Sequence, residues 1–135
     1  MIATVFDYGA GNLHSLGKAL AAGGARVRFE TDPVRALETD VLVLPGVGAF
    51  ATAAERLGPG RARMRAAIAG GLPCLGVCLG MQLLFESSEE GPGEGLSVFG
   101  GRVGRLAARR VPHIGWNTVA WDHDRRSLEW ADRQR

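Results

Sequence analysis

The sequence predicts an α/β domain, with an open, mostly parallel sheet and helices on both of its faces. Three observations carry that expectation. Short apolar runs of β type alternate with segments whose apolar residues recur at helical spacing, the order that right-handed βαβ crossovers produce. One run, Val41-Leu42-Val43-Leu44, is apolar without a break, as a strand buried on both faces must be. The 20 glycines among 135 residues fall at strand ends and helix ends, where α/β turns need them.

The elements follow in order. Ile2 to Phe6 reads as the first strand. Gly9-Ala10-Gly11 turns the chain into a helix over residues 12–22, which Asn12 is suited to cap. Leu13, Leu16 and Leu20 share its inner face, and Gly23-Gly24 ends it. A second strand over residues 25–30 alternates Val27 and Phe29 with Arg26 and Arg28, which predicts one exposed side. Asp32 stands ready to cap a short helix that starts at Pro33. Val41 to Leu44 is the third strand. A helix from Phe50 is interrupted at Gly58-Pro59-Gly60 and resumes over residues 61–69, with Met64, Ala67 and Ile68 inward and Arg61 and Arg65 on a solvated face. Residues 73–77 form a fourth strand and 81–86 the helix after it. Residues 87–95, rich in glycine and acid, read as a loop, and 98–106 and 111–121 as β segments.

Composition narrows the function classes. A net charge of +2 is too small to argue for nucleic-acid binding. No window approaches 18 consecutive apolar residues, so no membrane-spanning helix is expected. The N-terminus lacks the basic start of a secretory signal, which makes a cytoplasmic protein the expectation. Cys74 and Cys78 would sit on one face of a strand, about 13 Å apart at roughly 3.3 Å per residue. A disulfide tolerates a Cα separation of about 7 Å, so the two are not expected to pair. The C-x-x-x-C pair without further ligands is no metal site, and no cofactor is expected. Cys74 is then a packing residue.

Cys78 is different. Gly76-Val77-Cys78-Leu79-Gly80 places a cysteine between two glycines at the end of an apolar strand, with a helix-like segment directly after it. That pattern is a nucleophile elbow, because a sharp strand-to-helix turn with a strained central residue needs neighbours without side chains. The turn would set the sulfur at a helix N-terminus, where free N–H groups and the dipole favour a thiolate. The alternative is a buried cysteine in a tight turn. Pro45-Gly46-Val47-Gly48-Ala49-Phe50 follows the third strand, and its glycines let backbone N–H groups face a developing oxyanion. The alternative there is a plain strand-to-helix loop. Both motifs fall at the carboxyl edge of the expected sheet, where ligands of such folds bind.

Four stretches carry a resemblance to a known family: Asp7-Tyr8-Gly9-Ala10-Gly11-Asn12-Leu13-His14-Ser15; Leu44-Pro45-Gly46-Val47-Gly48-Ala49-Phe50; Leu75-Gly76-Val77-Cys78-Leu79-Gly80-Met81-Gln82-Leu83-Leu84-Phe85-Glu86; and Val111-Pro112-His113-Ile114-Gly115-Trp116-Asn117. Together they resemble the glutaminase subunits of imidazole glycerol phosphate synthase, which are class I (triad) glutamine amidotransferases of flavodoxin-like architecture. The match spans residues 1–121, taken as the amidotransferase domain, and leaves 122–135 as a charged tail. The resemblance implies hydrolysis of glutamine and transfer of ammonia to a (β/α)₈ cyclase subunit in a heterodimer serving histidine biosynthesis. It implies Cys78 as nucleophile through a γ-glutamyl thioester, and the Val47 and Leu79 N–H groups as the oxyanion hole. Gly46 and Gln82 would bind glutamine, and Asn12, His113, Trp116 and Asn117 would lie toward the cyclase and the ammonia path.

One part of the family pattern is missing. The triad's histidine and glutamate come from a His-Pro-Glu run beyond the cysteine, and no His-x-Glu occurs here among His14, His113 and His123. The expectation is a chain truncated at its C-terminus, with the domain incomplete and turnover lowered. Two alternatives remain open at this point: a non-catalytic subunit that only docks on the cyclase, and a cysteine-elbow hydrolase of the same architecture.

Overall fold

The computed structural model describes residues 1–9, 11–107, 111 and 116. It divides into two units, Met1–Arg105 and Leu106–Arg135. The first runs β1 (Ile2–Phe6), α1 (Leu13–Ala22), β2 (Arg26–Glu30), a 3₁₀ turn (Arg35–Leu37), β3 (Val41–Leu44), α2 (Phe50–Leu57), α3 (Arg61–Ala69), β4 (Cys74–Gly76), α4 (Leu79–Gln82), β5 (Ser87–Ser88) and β6 (Arg102–Val103). In the second, Leu106, Val111 and Trp116 are exposed. The rest of the expected 111–121 β segment and the 122–135 tail lie outside the described residues.

Among the described residues the main sheet has four strands in the order β2-β1-β3-β4, every pair parallel. The chain moves from β1 out to β2, then returns to place β3 on the other side of β1. This reversal opens a crevice between the carboxyl ends of β1 and β3, the point at which doubly wound sheets bind ligands.

Period-2 alternation feeds both faces. Ala3, Val5 and Val43 meet Leu13, Leu16 and Leu20 of α1 on one side. Phe6, Leu42 and Leu44 meet Phe50, Ala53, Ala54 and Leu57 of α2 and Met64 of α3 on the other. Helices therefore cover both faces, and each fully buried Leu or Phe contributes about 1.5–3 kcal/mol. The interruption between α2 and α3 falls at Gly58-Pro59-Gly60 as expected, and Met64, Ala67 and Ile68 turn inward. Asn12 Oδ1 accepts the Ser15 N–H at 3.2 Å, the expected cap of α1.

Several expectations need correction. Strand β2 keeps the expected pattern at Arg26, which is exposed, and Val27, which packs against the core, but reverses it after them: Phe29 is 47% exposed and lies against Gly17 of α1. Arg28 is half-buried instead, because its guanidinium binds the Arg35 and Glu38 carbonyl oxygens and the Thr4 hydroxyl. The helix expected at Pro33 is the 3₁₀ turn, although Asp32 does accept the Val34 and Arg35 N–H groups at 2.8 and 2.9 Å. Arg61 is half-buried and pairs with Glu94 rather than lying free in solvent.

The largest correction is in the segment after the elbow. The helix expected over 81–86 is a single turn, Leu79–Gln82. It stops because the N–H groups that would continue it go elsewhere: Leu84 N–H donates to Met81 O and Phe85 N–H to Gln82 O in 3₁₀ fashion, and Glu86 N–H donates to Gly101 O, which leaves the next carbonyls to a returning segment. Leu96 N–H donates to Leu83 O, Val98 and Phe99 to Leu84 O, Ser97 to Phe85 O and Gly95 to Glu86 O. Residues 87–88, expected in a loop, are β5, and only Arg102–Val103 of the expected 98–106 segment is strand. These two short strands pair in parallel with each other.

Candidate active site

Cys78 stands where β4 turns into α4, with φ 51° and ψ −104°. Among the described residues only Ser97 is the other non-glycine with positive φ. Such a backbone costs about 1–3 kcal/mol and persists only where its surroundings impose it. The surroundings are glycines. A Cβ at Gly80 would run into the Leu44 carbonyl oxygen, and one at Gly76 would lie 2.8 Å from both N and Cα of Met81. At Gly46 a Cβ would meet Val77 O at 2.6 Å, Leu79 Cβ at 2.8 Å and Gly80 N at 2.9 Å. The Pro45–Gly48 loop and the elbow thus touch backbone to backbone. This contact brings the two motifs into one site.

The remaining groups sort themselves around that contact. Cys78 is exposed, whereas Cys74 on the strand below is half-buried, packed against the larger core cluster, and has its thiol pushed up to about 11 by burial. Both thiols are free. Val47 is exposed and Leu79 is buried, and among the described residues neither backbone N–H has a hydrogen-bond partner. Gln82, one turn past Cys78, has its Oε1 buried without a partner. Gly11, after β1, approaches the same loop: it has φ 103°, and a Cβ there would lie 3.5 Å from Val47 N. The single turn of α4 supplies a smaller dipole at Cys78 than the longer expected helix would, because the field sums over aligned peptide units.

Tyr8 is the residue to which the sequence reading gave no role. It is 2% exposed, its hydroxyl is buried without a partner, and Phe6 packs edge-on against its ring at 5.7 Å between centroids. Its place in the Asp7-Tyr8-Gly9 turn after β1, at the strand-order reversal, was the available signal. Of the expected partner-facing residues, Asn12 is exposed at the start of α1 and Trp116 is exposed. His113 and Asn117 lie outside the described residues. Among the described residues no group of three or more His, Cys, Asp or Glu is arranged to hold a metal ion. No helix there is long and apolar enough to cross a membrane.

A parallel 2-1-3-4 sheet with a strained cysteine after its last described strand, in an elbow packed on a Pro-Gly-Val-Gly loop, is a doubly wound α/β domain with the geometry of a nucleophile elbow. The model of the glutamine amidotransferase class-I family matches residues 4–131, and the chain belongs to that family. Among curated proteins it is similar to imidazole glycerol phosphate synthase subunit HisH of Leifsonia xyli subsp. xyli, 50% identical over 119 residues, which are 85% of this chain and 57% of that protein. The HisH subunit of Thermococcus kodakarensis is 52% identical over 120 residues, 88% of this chain and 58% of that protein. That of Thermus thermophilus is 46% identical over 122 residues, 88% of this chain and 62% of that protein. The chain thus spans little more than half the length of the relatives it matches.

Proposed function

We propose that this chain carries the nucleophilic half of a glutaminase that supplies ammonia to the cyclase of imidazole glycerol phosphate synthase, in histidine biosynthesis. The Cys78 thiolate attacks the side-chain amide carbon of glutamine. The Val47 and Leu79 N–H groups, both without partners among the described residues, hold the oxyanion, a contribution of about 2.7–4 kcal/mol per donor in comparable sites. The C–N bond breaks as the amide nitrogen takes a proton from solvent water and leaves as ammonia, and a γ-glutamyl thioester remains on Cys78 until a second water cleaves the C–S bond and releases glutamate. Gly46 forms the floor of the site, and the unpartnered Gln82 Oε1 binds the substrate's ammonium group. Asn12, His113, Trp116 and Asn117 face a (β/α)₈ cyclase subunit in a cytoplasmic heterodimer, and ammonia passes between the two.

The observation that carries this reading is Cys78 at φ 51°, in an elbow whose neighbours Val77, Leu79 and Gly80 pack on Gly46. A glutamine-analogue electrophile tests it. Peptide mapping is expected to find Cys78 labelled in preference to Cys74, and equal labelling of the two would overturn it.

The sequence holds no His-x-Glu run, which favours a second reading in which these residues dock on the cyclase without turnover. A general acid/base is worth typically 10²–10⁴-fold. Glutamate release by this chain with cyclase and its ligand present is therefore expected at least about 10²-fold below a homologue that has both triad partners. Binding to the cyclase with no release at all would favour the docking reading.

A further inference from the structure

Two polar side-chain atoms among the described residues are buried without a partner, Gln82 Oε1 and the Tyr8 hydroxyl. The first belongs to the glutamine site above. The second is unexplained, and it lies at the same edge of the sheet. We propose that Tyr8 is a positioning residue for the nucleophile: its hydroxyl donates a hydrogen bond to the Cys78 sulfur when that sulfur is anionic. The inference rests on Cys78 being the nucleophile.

Placement is the first support. Tyr8 follows β1 and Cys78 follows β4, and both of these strands flank β3. Their backbones are therefore about 10 Å apart, two strand spacings, a gap that a tyrosine side chain largely spans. Tyr8 belongs to the buried cluster that also holds Leu44 and Leu79, the latter directly after Cys78. The edge-on Phe6 ring, at 67° to that of Tyr8, packs beside it.

Chemistry is the second. Packing alone would be served by phenylalanine, and a buried hydroxyl with no partner is destabilising. Burial, and after it the charge of Cys78, hold the Tyr8 hydroxyl well above the ordinary tyrosine range, so it keeps its proton and stays a donor. The other ionisable groups that the described residues bring to this edge are accounted for. Asp7 accepts the Gly9 N–H, Glu30 pairs with Arg35, Asp32 accepts the N–H groups of Val34 and Arg35, and His14 is exposed on α1. The β3–α2 loop and α4 carry none. An anionic sulfur is then the acceptor that suits a neutral, permanently protonated donor.

Tyr8 is the chain's only tyrosine, so changes at this position can be read cleanly. The experiment is the pH–rate profile of Cys78 alkylation by iodoacetamide, localised by mass spectrometry, in the full chain. Three proteins are compared: the parent, Tyr8→Phe, and the parent biosynthesised with 3-fluorotyrosine, whose hydroxyl is a stronger donor. Slow alkylation of half-buried Cys74 reports that the fold is intact in each. Tyr8→Phe is expected to move the Cys78 midpoint up by about one pH unit, the loss of one hydrogen bond to a charged acceptor. The fluorinated chain is expected to move it down. If Tyr8→Phe unfolds the chain, the fluorinated protein decides alone, because its packing is preserved. Midpoints that coincide across the folded proteins would overturn the role of Tyr8 while leaving Cys78 as nucleophile. A parent chain in which Cys78 alkylates no faster than Cys74 would overturn both.

Discussion

At the elbow, a Cβ on Gly80 would run into a carbonyl oxygen of the neighbouring strand, and the backbone has one way to pass. A few residues later, from Leu83 to Glu86, nothing so local decides the path. The Glu86 N–H that a helix over 81–86 would give to Gln82 O goes instead to Gly101 O, and the Leu83 to Glu86 carbonyls take N–H groups of residues 95–99. The first region is shaped by clearance, the second by competition between near and distant hydrogen-bond partners. Clearance is written into residue identity, so glycine spacing announces it. Competition depends on where a distant segment arrives, and apolar spacing cannot announce that.

The sharpest way to break this contrast is Gly80→Ala. If clearance governs the elbow, the variant should lose more than about 4 kcal/mol, the range reserved for severe backbone or packing faults. A urea melt near that of the parent would refute the clearance account. Leu96→Ala probes the other region. Leu96 is fully buried and its segment binds the carbonyls of the chain leaving α4, so a loss of about 2–5 kcal/mol is expected from the cavity and transfer effects. A loss below 1 kcal/mol would mean that residues 95–99 hang on by backbone hydrogen bonds alone.

The two cysteines sharpen the comparison further. The Cys74 thiol is raised to about 11 when folded, against about 8.5 unfolded. Between those values the folded state binds a proton that the unfolded state has released. Its stabilising effect is thus complete below about pH 8.5 and drains away as pH rises toward 11. Denaturant melts at pH 8 and pH 10 should show about 1–2 kcal/mol more alkaline loss in the parent than in Cys74→Ala, and equal losses would sink this account. The smallest effect is expected at Cys78→Gly. Relief of the positive φ should stabilise the chain by about 1 kcal/mol while electrophile labelling at that position disappears. A destabilised variant would show that the Cys78 side chain, and not only its reactivity, holds the elbow together.

Much of the fold was legible because its signals are short-range. Strand β3 showed itself as four apolar residues in a row, α1 through Asn12 and the Leu13, Leu16, Leu20 face, and the α2–α3 break through Gly58-Pro59-Gly60. Where a side chain reached across the fold, local pattern failed. Arg28 reads as a solvent-facing partner of Arg26 until the Arg35 and Glu38 carbonyls are seen to lie within its reach. Phe29 reads as core until Gly17 is seen to give it a seat on the helix instead. Of the candidate site, Cys78 and the loop at 45–50 could be named from motif chemistry and Gly46, Val47, Leu79 and Gln82 from the family resemblance, whereas Tyr8 could not.

The sequence by itself determined which residues are candidates for the chemistry and where the chain must turn sharply. A cysteine between glycines at a strand end, and a Pro-Gly-Val-Gly loop at another, are statements about covalent identity and backbone sterics, which act over a few bonds. Only the tertiary structure decided that the two motifs meet, that α4 lasts one turn, and that Tyr8 carries an unpartnered hydroxyl into the same edge of the sheet. Those outcomes depend on strand order and on which distant donors reach which carbonyls. Burial removes the water that would otherwise satisfy each polar group, so the placement of remote segments fixes what every one of them binds.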